Sequence, residues 1–169
     1  MPVGQSIGAT VVGTVSTSEK AEVARAAGCH YPVERSEKSF VDVVREVTNG
    51  EGCAVVYEAI GKDTLQYSLD SLRLMGVCAA YGHVSGPPDP IDIIQDLGRR
   101  GSLFITRPAI MHYVAKRADL EWTAQDLFKA IGDGLLEANI NYEYALKDAV
   151  KAHESIETGK TLGATVLIP

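Results

Sequence analysis

Five short apolar runs constrain this chain most. Ala9 to Val15, Cys53 to Tyr57, Val77 to Tyr81 and Leu103 to Thr106 are near-continuous hydrophobic segments, and Tyr31 to Val33 is a weaker one. Each is too short for a buried helix, and none shows the strict polar alternation of a half-exposed strand. Such runs read as strands covered on both faces, which is the environment of a parallel sheet. Helical patterns separate them. Strand and helix in alternation predict an α/β fold, with a parallel sheet flanked by helices on both faces.

The first unit shows the pattern in full. After the strand at Ala9 to Val15, Ser16 and Glu19 have the spacing of a capping box, in which the hydroxyl takes a free amide and the acid reaches back to the cap. A helix from about Thr17 to Ala27 follows, and Gly28 supplies a left-handed stop. Downstream, Ser36 is placed to cap a helix carrying Phe40, Val43, Val44 and Val47, which Asn49 and Gly50 end. Leu65, Leu69 and Leu72 mark a third helix closed by Gly76, and Ile91, Ile94 and Leu97 a short one after the Pro-rich segment ending at Pro90. Beyond Pro108 come an amphipathic helix through Leu120, Ala124, Leu127, Phe128, Ile131 and Leu135, an extended piece at Asn141 to Tyr144, a helix at Asp148 to Glu157, and a strand at Ala164 to Ile168.

The 169 residues fit one domain, with a globular 46% hydrophobic and 22% charged composition. The charge of -6 is spread without a basic stripe, which argues against nucleic acid as a partner, and no run approaches a membrane span. The amino terminus has no signal-peptide pattern, so a cytoplasmic protein is expected. Cys29, Cys53 and Cys78 lie far apart and read as reduced, buried small hydrophobes; no spacing suggests a metal site.

In a dinucleotide-binding fold, the carboxyl end of the second strand lies beside the adenine ribose, where an acid selects NAD, and cations or hydroxyls accept the 2′-phosphate of NADP. Here the segment offers Gly13, Thr14, Ser16, Thr17, Ser18 and Lys20, with no acid before Glu19. That composition favours NADP. Lys20 reads either as an anion ligand or as a solvated residue of the first turn. Met1 to Gly8 lacks both a preceding strand and the G-x-G-x-x-G spacing whose amides hold a pyrophosphate. The chain therefore reads as a dinucleotide fold without its first strand and glycine-rich loop.

Five ordered blocks carry a family resemblance: VVGTVSTSEKAEVARAAG, VVYEAIGKDTLQYSLDSLRLMG, YGHVSGPP, GSLFITRPAI and AHESIETGKTLGATVLIP. In order and spacing they resemble the carboxyl half of the zinc-independent quinone oxidoreductases, the zeta-crystallin type of medium-chain dehydrogenase/reductase. The resemblance implies a Rossmann-type domain spanning residues 1–169 and an NADPH-dependent reductase of a quinone or activated enone. It also implies a separate GroES-like domain that this sequence does not contain.

Position by position, the family's adenosine-phosphate contacts fall on Gly13, Thr14 and Lys20, and Arg35 stands where relatives carry an aromatic or imidazole side chain. Arg35 reads equally as a phosphate ligand or an ordinary surface residue. The segment usually reading Asp-Ser-Val-Gly is Glu58, Ala59, Ile60 and Gly61, losing a hydroxyl. The nicotinamide-side turn is Tyr81, Gly82, His83, Val84, Ser85 and Gly86, with His83 replacing an amide. Arg107 matches the family and reads as a coenzyme contact or a structural ion pair. A second family arginine aligns with Gly159, leaving only the adjacent Lys160 to substitute. Ala59, Ile60, Tyr81, Gly82, His83, Ser85 and Arg107 complete the expected coenzyme contacts. No catalytic residue is implied, because hydride transfer is the coenzyme's own chemistry.

The resemblance further implies a homodimer through the edge strand near Leu103 to Thr106, an apolar edge that would otherwise be exposed. A chain without the glycine loop is expected to hold NADPH weakly. The rival reading is a non-catalytic dimerisation or binding module derived from the same family.

Overall fold

The computed structural model describes residues 4, 6–137, 139–159 and 161–169. Among the described residues seven strands form, all paired in parallel, but they fall into three separate sheets rather than one. β1 (Val12–Val15) pairs with β2 (Tyr31–Glu34). β3 (Cys53–Glu58), β4 (Leu72–Ala80) and β5 (Phe104–Thr106) follow in that order. β6 (Ile140–Ala145) pairs with β7 (Ala164–Ile168). A doubly wound sheet in the order 3-2-1-4-5-6 without its strand 1 is a pair and a triplet, which matches the first two sheets here. Among the described residues, β1 and β3 share no ladder.

α1 (Ser18–Ala26) follows β1, and its cap lies one residue later than the Ser16 box predicts. Thr17 Oγ1 accepts the Lys20 amide at 3.3 Å. β1 pairs as far as Val15, so Ser16 is spent on the turn and the first free amides lie beyond it. Gly28 takes the expected left-handed conformation at φ +86°. α2 (Phe40–Val47) is likewise capped by Ser39, whose Oγ accepts the Asp42 amide, while Ser36 donates instead to Glu34. Asn49 and Gly50, both with positive φ, end that helix as expected. α2 packs against β1, β2 and the next helix, α3 (Leu65–Asp70).

Leu72 belongs to β4 rather than to α3. The Ser71 carbonyl accepts the Cys53 amide at 2.9 Å, which draws the chain into pairing with β3 directly after the helix. Gly76 lies inside β4 and does not close a helix; a Cβ there would sit 2.9 Å from the Arg73 carbonyl oxygen, so close packing requires the glycine.

The main core is built on Leu65, Leu69, Leu72, Cys78 and Leu103, with Cys53, Val56 and Ile105 packed against it. Cys29 and Cys78 are buried and Cys53 partly so; all three are free thiols, as expected. A π-helical turn, Ile93–Gly98, replaces the short helix read from Ile91, Ile94 and Leu97. Arg100 ties it to α3 through Asp70 at 3.0 Å and Asp96 at 3.3 Å.

The four-residue α4 (Ile110–Tyr113), the long α5 (Arg117–Gly132) and α6 (Ala149–Glu157) complete the helices. α5 forms where the apolar stripe predicts it, yet it has no buried residue, and Trp122 and Phe128 are each 69% exposed. No described helix is long and apolar enough to cross a membrane. Of the amino-terminal segment read for a glycine loop, Met1 to Val3 and Gln5 lie outside the described residues.

Candidate functional site

The carboxyl ends of β3, β4 and β5 converge on two loops that hydrogen-bond along their length. The first starts at Glu58, whose carbonyl accepts the amides of Tyr81 at 2.9 Å and Gly82 at 3.2 Å. The Ala59 carbonyl accepts Val84 N–H at 3.3 Å, and the Ile60 carbonyl accepts both the amide and the hydroxyl of Ser85, each at 2.8 Å. Ser85 Oγ in turn accepts the Asp63 amide at 3.1 Å, and the Gly86 carbonyl accepts that of Lys62 at 3.1 Å. Ser85 thus uses its hydroxyl to join the loops. Gly82 is required where they meet, because a Cβ would lie 2.7 Å from the Ala59 Cα.

Beneath this plate, Glu58 is 4% exposed. Its Oε1 accepts the amides of Ile60 at 2.6 Å and Gly61 at 3.1 Å and the hydroxyl of Thr64 at 2.9 Å, and Oε2 accepts the hydroxyl of Ser68. Four converging donors suit acceptor-only oxygens, the inventory of an ionised carboxylate. Burial pushes the nearby Cys78 thiol up to about 11, and the charges of Glu58 and Cys53 add to the rise.

Above the plate, Arg107 follows β5. Its Nη1 donates to the Ala80 carbonyl at 2.8 Å, and its Nη2 lies 3.1 Å from His83 Nδ1. Nδ1 therefore accepts, and the imidazole proton resides on Nε2. Arg107, Tyr81 and His83 are all solvent-exposed, with guanidinium donors left over for an anionic ligand. The structure thus brings Ala59, Ile60, Tyr81, Gly82, His83, Ser85 and Arg107 into one group.

The other expected contacts lie on the β1–β2 ladder. Gly13 is buried in β1 and Thr14 beside it is exposed, while the Arg35 amide donates to the Val15 carbonyl at 3.3 Å and sets an exposed Arg35 next to the end of β1. Lys20 has a different partner: its Nζ donates to the Gly159 carbonyl at 2.6 Å. Lys160 lies outside the described residues. Two carboxylates lie in the site without having been among the expected contacts. One is Glu58; the other is Glu34, which ends β2 and accepts the hydroxyls of Ser18 at 2.8 Å and Ser36 at 3.2 Å. The usable signal for Glu58 was the pair of hydroxyls four apart at Thr64 and Ser68, one face of the helix that follows it.

A 420 Å³ hollow lined by Arg45, Gly52, Asp70 and Arg100 lies at the amino-terminal end of β3, opposite the loops. Of its charged residues, Arg100 and Asp70 are paired with each other, and Arg100 also reaches Asp96.

Residues 3–123 match the zinc-binding dehydrogenase family. The chain belongs to that family. Within it, the chain is 50% identical over 169 residues to the 2-haloacrylate reductase of a Burkholderia species, covering all of this chain and 51% of that protein. It is 38% identical over 167 residues to a quinone oxidoreductase of Salmonella typhimurium, covering 98% of this chain and 51% of the relative. The crystal structure of Escherichia coli quinone oxidoreductase in complex with NADPH superposes with a TM-score of 0.92 at 34% identity, over 99% of this chain and 52% of that one. The chain thus spans about half the length of the relatives it matches, corresponding to their carboxyl-terminal half. The resemblance to quinone oxidoreductases and the α/β fold with parallel strands both hold. Despite the family's name, the described residues contain no group of three or more His, Cys, Asp or Glu side chains placed to hold a metal ion.

Proposed function

We propose that the chain is the coenzyme-binding portion of an NADPH-dependent reductase of an electron-poor carbon–carbon double bond, as in a quinone or enone. The observation that carries this reading is the Arg107 guanidinium, anchored by Ala80 and His83 above the joined loops at the strand ends. In open α/β sheets ligands bind at those ends. The solved relative in complex with NADPH supports the choice of coenzyme.

NADPH, when bound, supplies the hydride. The protein's own part is to hold and orient. Arg107 offers its remaining donors to an anionic part of the coenzyme, while Ala59, Ile60, Tyr81 and Gly82 form a stiff floor, because the backbone bonds between the loops leave them little freedom. Thr14 and Arg35 receive the adenosine end, and Gly13 lets the backbone approach it. Lys20 joins them only by leaving the Gly159 carbonyl.

A GroES-like domain outside this sequence supplies the rest of the substrate pocket, and the complete protein pairs through β5. Its Phe104, 60% exposed on an edge strand, favours a homodimer. Three free thiols accord with a reducing, cytoplasmic setting. The decisive test is a fluorescence titration with NADPH and NADH, both of this chain and of the protein with its natural flanking sequence, followed by turnover with a simple quinone. Micromolar NADPH affinity and quinone turnover in the longer protein, with weak binding by the chain alone, support the proposal; no binding by the longer protein refutes it. That second result would favour a non-catalytic binding module, a reading that the engagement of Lys20 by Gly159 already supports.

A further inference from the structure

Among the described residues, Glu58 is the only acidic side chain that is buried, and no cation pairs with it. Its partners are two amides and two hydroxyls. Neutral donors solvate a carboxylate without cancelling its charge, so its field persists in the low-dielectric interior. The carboxylate also sits directly under the plate, since the main chain of the same residue holds Tyr81 and Gly82. A merely structural cap of α3 would need donors and acceptors, which a neutral amide also provides; it would not need a net charge.

We infer that the buried carboxylate of Glu58 sets the redox poise of the bound coenzyme, favouring its oxidised form over its reduced form. This rests on the proposed coenzyme site. In the reaction, the C4–H bond of the reduced nicotinamide breaks and its electron pair leaves with the hydrogen to form a C–H bond at the electron-poor carbon of the substrate. The ring gains one positive charge, and the reduced substrate gains one negative charge, neutralised by a proton from water. A fixed negative charge near the ring stabilises its cationic product and the transition state leading to it. Glu58 is thus a positioning residue through its hydrogen bonds and an electrostatic one through its charge.

The test is isothermal titration of the complete protein, with its natural flanking sequence, using NADP+ and NADPH separately. Glu58→Gln keeps the side-chain size and the Oε1 acceptor, and the amide can donate to the Ser68 hydroxyl. The expected result is a rise of roughly fivefold or more in the ratio of the NADP+ to the NADPH dissociation constant, the scale of losing one attractive unit charge acting through a partly screened interior. Glu58→Asp, which retains the charge, should keep the ratio of the unaltered protein. An unchanged ratio in Glu58→Gln overturns the inference, as does a Glu58→Asp ratio matching that of Glu58→Gln. If Glu58→Gln does not fold in buffer, all three proteins are titrated in the same stabilising osmolyte, where the same rise is expected for Glu58→Gln and a level ratio overturns the inference. Failure of the unaltered protein to bind either form refutes the coenzyme site itself, and with it this role. Both forms binding with no change of ratio refutes the role of Glu58 alone.

Discussion

Gly82→Ala should be among the most damaging single-methyl additions to this protein. The new Cβ would overlap the Ala59 carbonyl and lie 2.7 Å from the Ala59 Cα, so its obstacle is backbone that cannot rotate away. Relief requires the 81–86 loop to lift from the 58–64 loop. Forcing a methyl group into filled space costs about 1–3 kcal/mol. Lifting also strains the bonds from Val84 to Ala59 and from Ser85 to Ile60, each contributing about 1 kcal/mol net. The total of about 3–5 kcal/mol is a large share of the 5–15 kcal/mol that holds an ordinary domain together. Urea unfolding followed by far-UV circular dichroism measures it, with Gly86→Ala as the comparison. A Cβ on Gly86 meets nothing within 4 Å, so only its left-handed φ of +107° opposes the substitution, at about 1–2 kcal/mol. If Gly82→Ala costs under 1 kcal/mol, or no more than Gly86→Ala, the two loops are not joined in the way described.

Glu58→Ala orphans two amides and two hydroxyls, and a destabilisation of about 3–5 kcal/mol is expected in the same unfolding assay, well above that of Glu58→Gln. Arg107→Gln should leave the fold intact, because the side chain is exposed, but weaken NADPH binding roughly tenfold or more in the complete protein, read by fluorescence titration. Lys20→Met should speed amide exchange around Gly159 to Gly163 in hydrogen-exchange mass spectrometry; if Lys20 also meets a 2′-phosphate, discrimination between NADPH and NADH should fall as well. For alkaline stability, the Cys78 thiol is raised to about 11, first by burial and then by Glu58 and Cys53. An unfolded thiol titrates near 8.5, so the contribution of the protonated thiol is complete below that pH and lost as the pH climbs through about 11, a change of up to ~3 kcal/mol. Cys78→Ala should flatten the decline of stability between pH 9 and 11 by about that amount, and an unaltered slope would refute the assignment.

Much of the architecture was legible in the sequence because its determinants are local. Apolar runs such as Cys53 to Tyr57 gave strands, and the left-handed residues Gly28, Asn49 and Gly50 ended helices where expected. Local patterns failed where a neighbour in space decides. Ser16 and Thr17 are equivalent as caps until β1 pairing consumes the turn, and Leu72 fits a helix stripe until Cys53 draws its neighbour into a ladder. The candidate site divides in the same way. Arg107 and the 81–86 turn could be read from their motif, and the structure groups them. The partner of Lys20 lies 139 residues away, and the burial of Glu58 is marked only by the Thr64 and Ser68 hydroxyls on the helix that follows it, while an acid at a strand end ordinarily faces water.

The gap between β1 and β3 bears on how the molecule comes apart. The β1–β2 pair and the β3–β5 triplet are joined by side-chain packing through α2, with no shared ladder among the described residues. Packing of that kind couples neighbouring units less rigidly than a continuous run of interstrand bonds. Amides of the pair can therefore exchange through a partial opening that leaves the triplet shut, giving this chain two tiers of protection in place of one cooperative melt.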